Sequence, residues 1–416
     1  MSFGILAVIV LAGLGGPLLG MLEGRFVPVV VGEILAGILV GPAVLGVVDP
    51  HQPTVSFLSE VGFAMLMLTV GMHLPLRDRR LAAALRGGAL LAVLVGLLAV
   101  PAGLLAGEIS GGGHVAIFAA VLASGSAAVL LPSIQECDLG GTEVLTVMAQ
   151  VTIADVLTIV SVPIVLQPSR AWHAVLGTLL VAAAVVALRL AALPLRGRAW
   201  VDRVRKLSKE RRWALDLRLS LVVLFALAWL AQKGGTSILI AGFGAGVMVA
   251  LIGGPKRLST QVRGVAEGFF VPLFFVVLGA QLDVRGLFHQ PSMLGLAAAL
   301  VGLSVVIHLL AATTTGKSTA AGLAACAQLG VPAAVASLGL AEHLLSPVIA
   351  TAIVVSALVS LGVCTVGVEL FRRQRAAGVG GAGDAGGAGG GAGGPAAELQ
   401  TAAAAASRGS GTSAAR

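Results

Sequence analysis

The chain has 416 residues, of which 57% are hydrophobic and only 11% are charged, and its formal net charge is +8. Soluble domains contain about 25% charged residues, so this composition excludes an ordinary water-soluble protein. Apolar runs of about 20 residues recur along the chain, each long enough to cross the hydrocarbon core of a bilayer as a helix. The alternating pattern of a membrane β-barrel does not occur. The sequence predicts an all-α integral membrane protein.

Thirteen transmembrane helices are predicted. Their approximate bounds are 3–22, 26–48, 55–75, 81–107, 114–134, 143–167, 172–194, 213–232, 236–253, 265–283, 291–313, 317–340 and 346–371. The three cysteines have neither an even count nor metal-ligand spacing, which predicts no disulfide framework. The basic residues lie between spans rather than on one polar face, which argues against a nucleic-acid partner.

The basic residues also indicate an orientation in the membrane. One set of alternate loops is rich in Lys and Arg, and comprises Arg77, Arg79, Arg80, the stretch 196–212, Lys256, Arg257, Arg263, Arg372, Arg373 and Arg375. The opposite loops contain only Arg170, Lys233 and Arg285. The positive-inside rule therefore predicts a multi-pass cell-membrane protein with the N-terminus outside and the C-terminus in the cytoplasm. Residues 1–372 form the predicted membrane domain, and the Gly/Ala-rich stretch 373–416 is a predicted disordered cytoplasmic tail.

Two similar stretches indicate an internal repeat. LTVGMHLPLR at 68–77 and VVLGAQLDVR at 276–285 share three residues at an offset of 208, namely Gly71 with Gly279, Leu74 with Leu282 and Arg77 with Arg285. Because spans one and eight enter the membrane from opposite sides, the sequence predicts two inverted six-helix repeats joined by the seventh span. Chance similarity between Leu/Val/Gly-rich helices is the alternative explanation.

Helix-breaking residues lie at corresponding positions in the two predicted repeats. Pro132 follows Ser-Gly-Ser at 124–126, and Pro332 follows Gln-Leu-Gly at 328–330. A proline removes a backbone donor, and freed carbonyls are tolerated in a membrane only where they line a protein cavity. Inverted repeats with interrupted helices are typical of secondary transporters. The sequence therefore predicts two discontinuous helices whose polar ends suit an ion near the middle of the membrane.

One carboxylate lies deep in the membrane. Asp155 is at the centre of the sixth span, in the otherwise apolar and threonine-containing stretch VTIADVLTIV. A carboxylate at this depth costs roughly 2.5–3.5 kcal/mol and usually marks an ion or proton path. Burial disfavours the charged form, so such a group can alternately hold a proton or a cation. Thr152, Ser124 and Ser126 are candidate oxygen ligands, because hard cations prefer oxygen. The alternative is a neutral acid bonded to a neighbouring group.

Other polar residues in the spans have two interpretations each. Glu33 in the second span is a candidate second proton site, or an acid that braces helix packing. His308 in the eleventh span is a core histidine or a relay.

The stretch ATTTGKS resembles a phosphate-binding loop, but it lacks the first glycine and the preceding strand. The sequence thus gives no support for an ATP-driven pump or another enzyme.

Four stretches carry a family resemblance. They are PVVVGEILAGILVGPAVLG (28–46), FLSEVGFAMLMLTVGMHL (57–74), ASGSAAVLLPSIQE (123–136) and VPLFFVVLGAQLDV (271–284). Together they resemble the sodium/hydrogen exchanger family, in particular its bacterial second branch of monovalent cation:proton antiporters. The resemblance covers about residues 1–372. It implies a homodimer of 13-span subunits, a core domain with crossed broken helices that moves against a dimerisation domain, and an ion-binding acid at the position of Asp155. It also places Ser126 at a hydroxyl position of the first crossed helix.

The chain departs from the family pattern at several positions. Electrogenic relatives carry two adjacent aspartates and many electroneutral ones Asn-Asp, whereas Ala154 precedes Asp155 here. Several relatives have a basic residue in the span that matches the tenth, and Gln281 is the nearest polar candidate in this chain. The arginine-glycine-glutamate signature of some branches is absent from the twelfth span.

The sequence predicts a secondary antiporter that exchanges Na⁺ or K⁺ for H⁺ by alternating access, with the lipid bilayer as its surroundings. No cofactor and no metal other than the transported cation is expected. Two other classes stay open. An organic-anion/sodium symporter of related fold needs a larger polar cavity and residues for further sodium ions. The other is a non-transporting membrane sensor or channel-like module; a channel needs a continuous polar pore, whereas the polar residues here cluster at one depth.

Overall fold

The computed structural model of the protein is built from helices, and no strand occurs in the part of the chain that it describes. The structure describes residues 2–21, 28–72, 79–137, 139–195, 198–211, 213–252 and 256–384. Residues 73–78, which include Leu74 and Arg77 of the predicted repeat, lie outside the described residues. Residues 385–416 of the predicted tail also lie outside them.

The first part of the chain contains ten helices among the described residues. They are α1 (Phe3–Gly13), α2 (Gly15–Gly20), α3 (Val29–Val40), α4 (Pro53–Met72), α5 (Arg79–Ile109), α6 (Val115–Ala123), α7 (Ala127–Glu136), α8 (Thr142–Leu166), α9 (Ala171–Ala192) and α10 (Ala199–Glu210).

The second part contains nine more. They are α11 (Leu215–Lys233), α12 (Ile238–Ile252), α13 (Lys256–Val265), α14 (Val271–Gln281), α15 (Val284–His289), α16 (Pro291–Thr314), α17 (Thr319–Ala325), α18 (Gly330–Ala341) and α19 (Pro347–Asp384). A single π-helical stretch, Ala266–Phe270, joins α13 to α14.

The helices have the length and composition of membrane spans. Among the described residues, 11 helical stretches are long and apolar enough to cross a bilayer, and Val29–Val40 and Ile238–Ile252 are shorter apolar helices. Large apolar side chains point outward, for example Leu97 (65% exposed), Val222 (62%) and Trp229 (61%). Exposed apolar surface of this kind fits a lipid environment. The all-helical membrane fold is confirmed, while the count of 13 spans stays a prediction.

The two predicted discontinuous helices are observed. The first consists of α6 and α7, separated by residues 124–126, and the second of α17 and α18, separated by residues 326–329. Both breaks precede the prolines that predicted them. Pro132 lies inside α7 and Pro332 in the first turn of α18. A proline in a first turn is tolerated because the N–H that it lacks has no partner within the helix.

The two matched glycines of the predicted repeat both lie where helices approach closely. A Cβ atom on Gly71 of α4 would collide with the carbonyl oxygen of Phe243 in α12, and one on Gly279 of α14 would collide with that of Ile34 in α3. Only hydrogen fits at either position, so the two glycines have the same structural role. The inverted relation between the two halves stays a prediction.

The chain divides into one packed unit that ends at Phe371 and a second that begins at Arg372. Helix α19 continues to Asp384, past the predicted end of the membrane domain at residue 372. The predicted disorder of 373–416 stays a prediction, because most of this stretch lies outside the described residues.

Candidate functional site

The first break, residues 124–126 between α6 and α7, interrupts the backbone hydrogen bonding of a buried helix. Helix α6 ends at Ala123, and Ser124 is in an extended conformation with ψ of 157°. The Ser124 hydroxyl donates to the carbonyl oxygen of Val121 at 2.7 Å, a local bond that competes with continuation of the helix. Gly125 follows and is a poor helix former. These two residues explain why the helix stops here and restarts at Ala127.

The break lies directly against α8. A Cβ atom on Gly125 would be 2.9 Å from Val151 Cγ1 and 3.1 Å from the Val151 carbonyl oxygen, so only glycine allows this approach. Val151 precedes Asp155 by one helical turn and therefore lies on the same face of α8. The glycine thus brings the interrupted backbone up to the face that carries the carboxylate.

Asp155 is enclosed by this arrangement and is only 2% exposed. The backbone N–H of Ala127, the first residue of α7, is directed at its carboxyl group. The N-terminus of a helix carries a partial positive charge and favours a negative group beside it. Two oxygens on this face of α8, Asp155 Oδ1 and Thr152 Oγ1, are buried and have no hydrogen-bond partner within the described structure. An unsatisfied buried polar group costs about 1–3 kcal/mol, which a bound proton or cation relieves.

The two serines predicted as ligands, Ser124 and Ser126, both lie in the break and are buried. Ser126, the residue before α7, is 3% exposed, and Ser124 is fully buried. Both belong to the three-residue segment that Gly125 holds against α8. The break that contains Ser124 and Ser126 therefore packs on the face of α8 that carries Asp155, and a donor set made only of oxygens fits a monovalent cation.

Gln328 is a buried polar residue of the second break that the sequence did not identify as a site residue. Its Nε2 donates to the carbonyl oxygen of Leu122 in α6 at 3.4 Å and to Ser304 Oγ in α16 at 3.0 Å. Its backbone N–H donates to Ser360 Oγ in α19 at 3.1 Å. Gln328 therefore joins the second break to the last turn of α6. The only signal in the sequence is a lone amide in the apolar stretch 319–336.

Two predicted residues are not brought to this site. Gln281 ends α14, which packs against α3 and α4, and no described contact joins it to Asp155. Glu33 is on α3 and 4% exposed, and its Cγ would be 3.0 Å from a Cβ atom on Gly16 of α2. Its neighbours are therefore those of a residue packed between α2 and α3.

His308 is buried in α16, where its Nδ1 lies 2.8 Å from the Ser304 carbonyl oxygen.

A cavity of about 350 Å³ approaches the site from one end of α8. Its polar lining comes from α4, α8, α9, α11 and α18 and their loops, and includes Glu60, Gln167, Arg170, Gln232, Thr236 and Glu342. The deepest α8 residue in the lining is Pro163, which is eight residues from Asp155. At 1.5 Å per residue this separation is about 12 Å along the helix axis.

Comparison with known proteins places this architecture in a family. The family model for the transmembrane sodium/hydrogen exchanger matches residues 5–372. The chain belongs to the sodium/hydrogen exchanger family. The resemblance seen in the sequence is thereby confirmed over nearly the range predicted for it.

Individual relatives of this exchanger are distant. It is 26% identical over 277 residues to the Na⁺/H⁺-K⁺ antiporter GerN of Bacillus cereus, a match covering 63% of the chain and 67% of the relative. It is 23% identical over 327 residues to the probable Na⁺/H⁺ antiporter 3 of Methanocaldococcus jannaschii, covering 75% and 82%. Its fold matches the sodium proton antiporter MjNhaP1 of Methanocaldococcus jannaschii with a TM-score of 0.61 at 16% identity, covering 89% of this chain and 96% of that one.

Proposed function

We propose that the protein is a secondary active antiporter that exchanges Na⁺ or K⁺ for H⁺ across the cell membrane. The observation that carries this proposal is the pair of buried, unpartnered oxygens, Asp155 Oδ1 and Thr152 Oγ1, opposite an interrupted helix. Membership of the exchanger family supports it. The relatives' names, which specify Na⁺/H⁺ and Na⁺/H⁺-K⁺ antiporters, support the choice of substrates.

Asp155 is the group that carries the exchange in this proposal. The carboxylate binds a proton or a cation but not both, and the N–H of Ala127 stabilises its charged form when the cation is bound. Thr152, Ser126 and Ser124 supply further oxygens to the cation. Because the two occupants compete for one carboxylate, the carrier returns loaded with one or the other, which couples the two fluxes.

The cavity beside Glu60 and Glu342 is the access route to one side of the membrane. With the N-terminus outside and the C-terminus in the cytoplasm, as the basic loops favour, this route opens outward. Its wall contains two carboxylates and one guanidinium, that of Arg170, a charge balance that favours cations, and the route ends at Pro163, short of Asp155. The antiporter is proposed to work as a homodimer, in which one domain of each subunit moves to close this route and open the opposite one.

A vesicle assay separates this function from the two alternatives. Purified protein is reconstituted in liposomes that contain a pH-sensitive dye and have a proton gradient across their membrane. NaCl, KCl or a bile salt is then added outside. We expect NaCl or KCl to dissipate the gradient, with the bile salt inactive. A response only to the bile salt indicates an organic-anion symporter, and no response to any of the three contradicts transport altogether.

Replacement of Ser126 tests the cation ligands. Ser126→Ala removes one hydroxyl beside Asp155 but keeps the titrating carboxylate, so we expect the cation concentration for half-maximal exchange to rise about tenfold, equivalent to one bond worth about 1.4 kcal/mol. The maximal rate should change less. Exchange is measured over a range of NaCl and KCl concentrations, and an unchanged half-maximal concentration removes Ser126 from the cation's ligands.

A matched pair of glutamine substitutions tests the role of Gln328. Gln328→Leu leaves the Leu122 carbonyl and Ser304 Oγ without this donor, at a cost of about 1–3 kcal/mol, and loosens the link between the two breaks. We expect the maximal rate to fall about tenfold or more, with normal membrane insertion. Gln281→Leu, the same change at a glutamine away from the two breaks, should exchange like the wild type. Equal effects of the two variants contradict a positioning role for Gln328.

A further inference from the structure

Helix α10 is a surface helix between two membrane helices. It follows α9 and precedes α11, so both of its ends are held near the membrane boundary. Ser208 ties it to α11, because Ser208 Oγ accepts from the Leu215 N–H at 3.2 Å and its carbonyl oxygen accepts from the Trp213 N–H at 3.0 Å. These bonds fix where α10 ends relative to the start of α11.

The helix is amphipathic. Val201, Val204 and Leu207 recur every three residues and are half-buried, whereas Arg203 and Lys206 are exposed. A helix with one apolar stripe and one basic stripe, in which most other residues are polar, is typical of segments that lie flat in a membrane interface. The sequence from 196 to 213 contains eight Lys and Arg residues against two acidic ones.

Two tryptophans lie at the two ends of α10. Trp200 at its start is 53% exposed, and Trp213 just after its end is 44% exposed. Trp side chains are enriched at membrane–water interfaces, where the ring contacts both apolar and polar surroundings. The Arg211 guanidinium lies 5.5 Å from the centre of the Trp213 ring, which holds a positive charge beside one of these rings.

We propose that α10 binds the surface of an anionic phospholipid leaflet, with Trp200 and Trp213 among the headgroups and with Arg203, Lys206 and Arg211 on the lipid phosphates. The charge of the segment is complementary to such a surface, and each Lys or Arg near it adds a favourable contribution. Its two ends are continuous with membrane helices, which keep it within reach of the headgroups. That this leaflet is the cytoplasmic one rests on the proposed orientation.

A consequence for transport rests on the proposed function. Helix α10 lies in the connection between the two predicted six-helix repeats. Fixing it on a charged leaflet restrains that connection, so we expect the exchange rate in vesicles that contain anionic lipid to differ from the rate in purely zwitterionic ones.

Fluorescence quenching tests the lipid contact independently of transport. The full-length protein with Trp172→Phe and Trp229→Phe, which leaves Trp200 and Trp213, is reconstituted with brominated phosphatidylglycerol or brominated phosphatidylcholine at equal mole fraction. We expect the anionic lipid to quench about threefold more strongly, and the preference to fall in high salt. The variant pair Arg203→Gln/Lys206→Gln should bring the ratio close to one. The matched pair Lys233→Gln/Arg285→Gln, exposed basic residues at the end of α11 and in α15, should leave it unchanged.

Three outcomes overturn the proposal. They are equal quenching by the two lipids in the wild type, no quenching by either, and an unchanged preference in the α10 pair. If the wild type shows no cation–proton exchange in any lipid, the proposed function fails while the quenching ratio still decides the lipid contact. If exchange occurs but is the same with and without phosphatidylglycerol, only the consequence for transport is lost.

Discussion

Asp155→Asn is expected to abolish cation–proton exchange while the protein still folds and inserts. The amide has nearly the same size and shape as the carboxyl group, so the packing of α8 against the α6–α7 break is retained. It neither titrates nor balances the charge of a bound cation, and the carrier therefore has nothing to exchange. The measurement is NaCl- and KCl-driven dissipation of a proton gradient in proteoliposomes containing equal amounts of each protein.

Asp49→Asn is the matched control, because Asp49 is an exposed aspartate in the loop after α3. It should exchange like the wild type. Thermal unfolding of both variants in detergent shows whether a loss of exchange is a loss of fold. Coupled exchange in Asp155→Asn at a rate near that of the wild type rules out Asp155 as the shared site.

Exchange is expected to be electroneutral, with one cation moved for one proton. Ala154, and not a second carboxylate, precedes Asp155, which is the only carboxylate that the described structure places at the α6–α7 break. A carboxylate that holds either H⁺ or a monovalent cation is neutral in both forms. An additional proton per cycle would move one charge through the membrane potential, worth about 2.3 kcal/mol per 100 mV. That energy shifts the equilibrium cation gradient roughly 50-fold at 1.4 kcal/mol per decade.

The test clamps the potential of proteoliposomes at about 0 mV and at −100 mV and finds the sodium gradient at which proton flux stops. The same null point at both potentials is the predicted result. A displacement between the clamps refutes electroneutrality. Glu33 and His308, the two other buried residues of the described structure that can carry such a proton, are then replaced by glutamine, and the variant that abolishes the displacement identifies the carrier.

The sequence predicted those features that depend on local chemistry. The Ser-Gly-Ser segment before Pro132 indicated an interrupted helix, and Asp155 stood out because a carboxylate is costly in hydrocarbon. The sequence did not distinguish Gln281 from Gln328, because which glutamine contacts the broken helices depends on which helices pack together. The first is on a helix that packs against α3 and α4, and the second contacts α6 and α16.

Helix α10 was also not predicted, although a signal was present. The positive charge of the segment 196–212 dominates any hydropathy average, so hydropathy predicts only a basic loop there. The spacing of Val201, Val204 and Leu207 nevertheless has the period of a helix with one apolar face. Charge and period give different information about the same residues, and only the period indicates that this loop is a helix.

The central claim is that a proton and a cation compete for Asp155. The most direct measurement is proton release on cation binding: concentrated NaCl or KCl is added to purified protein in weakly buffered detergent solution, and the released protons are counted with a pH indicator. The account predicts close to one proton per chain from the wild type at a pH where Asp155 is protonated, and none from Asp155→Asn. Equal release from the two proteins, or none from a wild type that exchanges in vesicles, contradicts the claim.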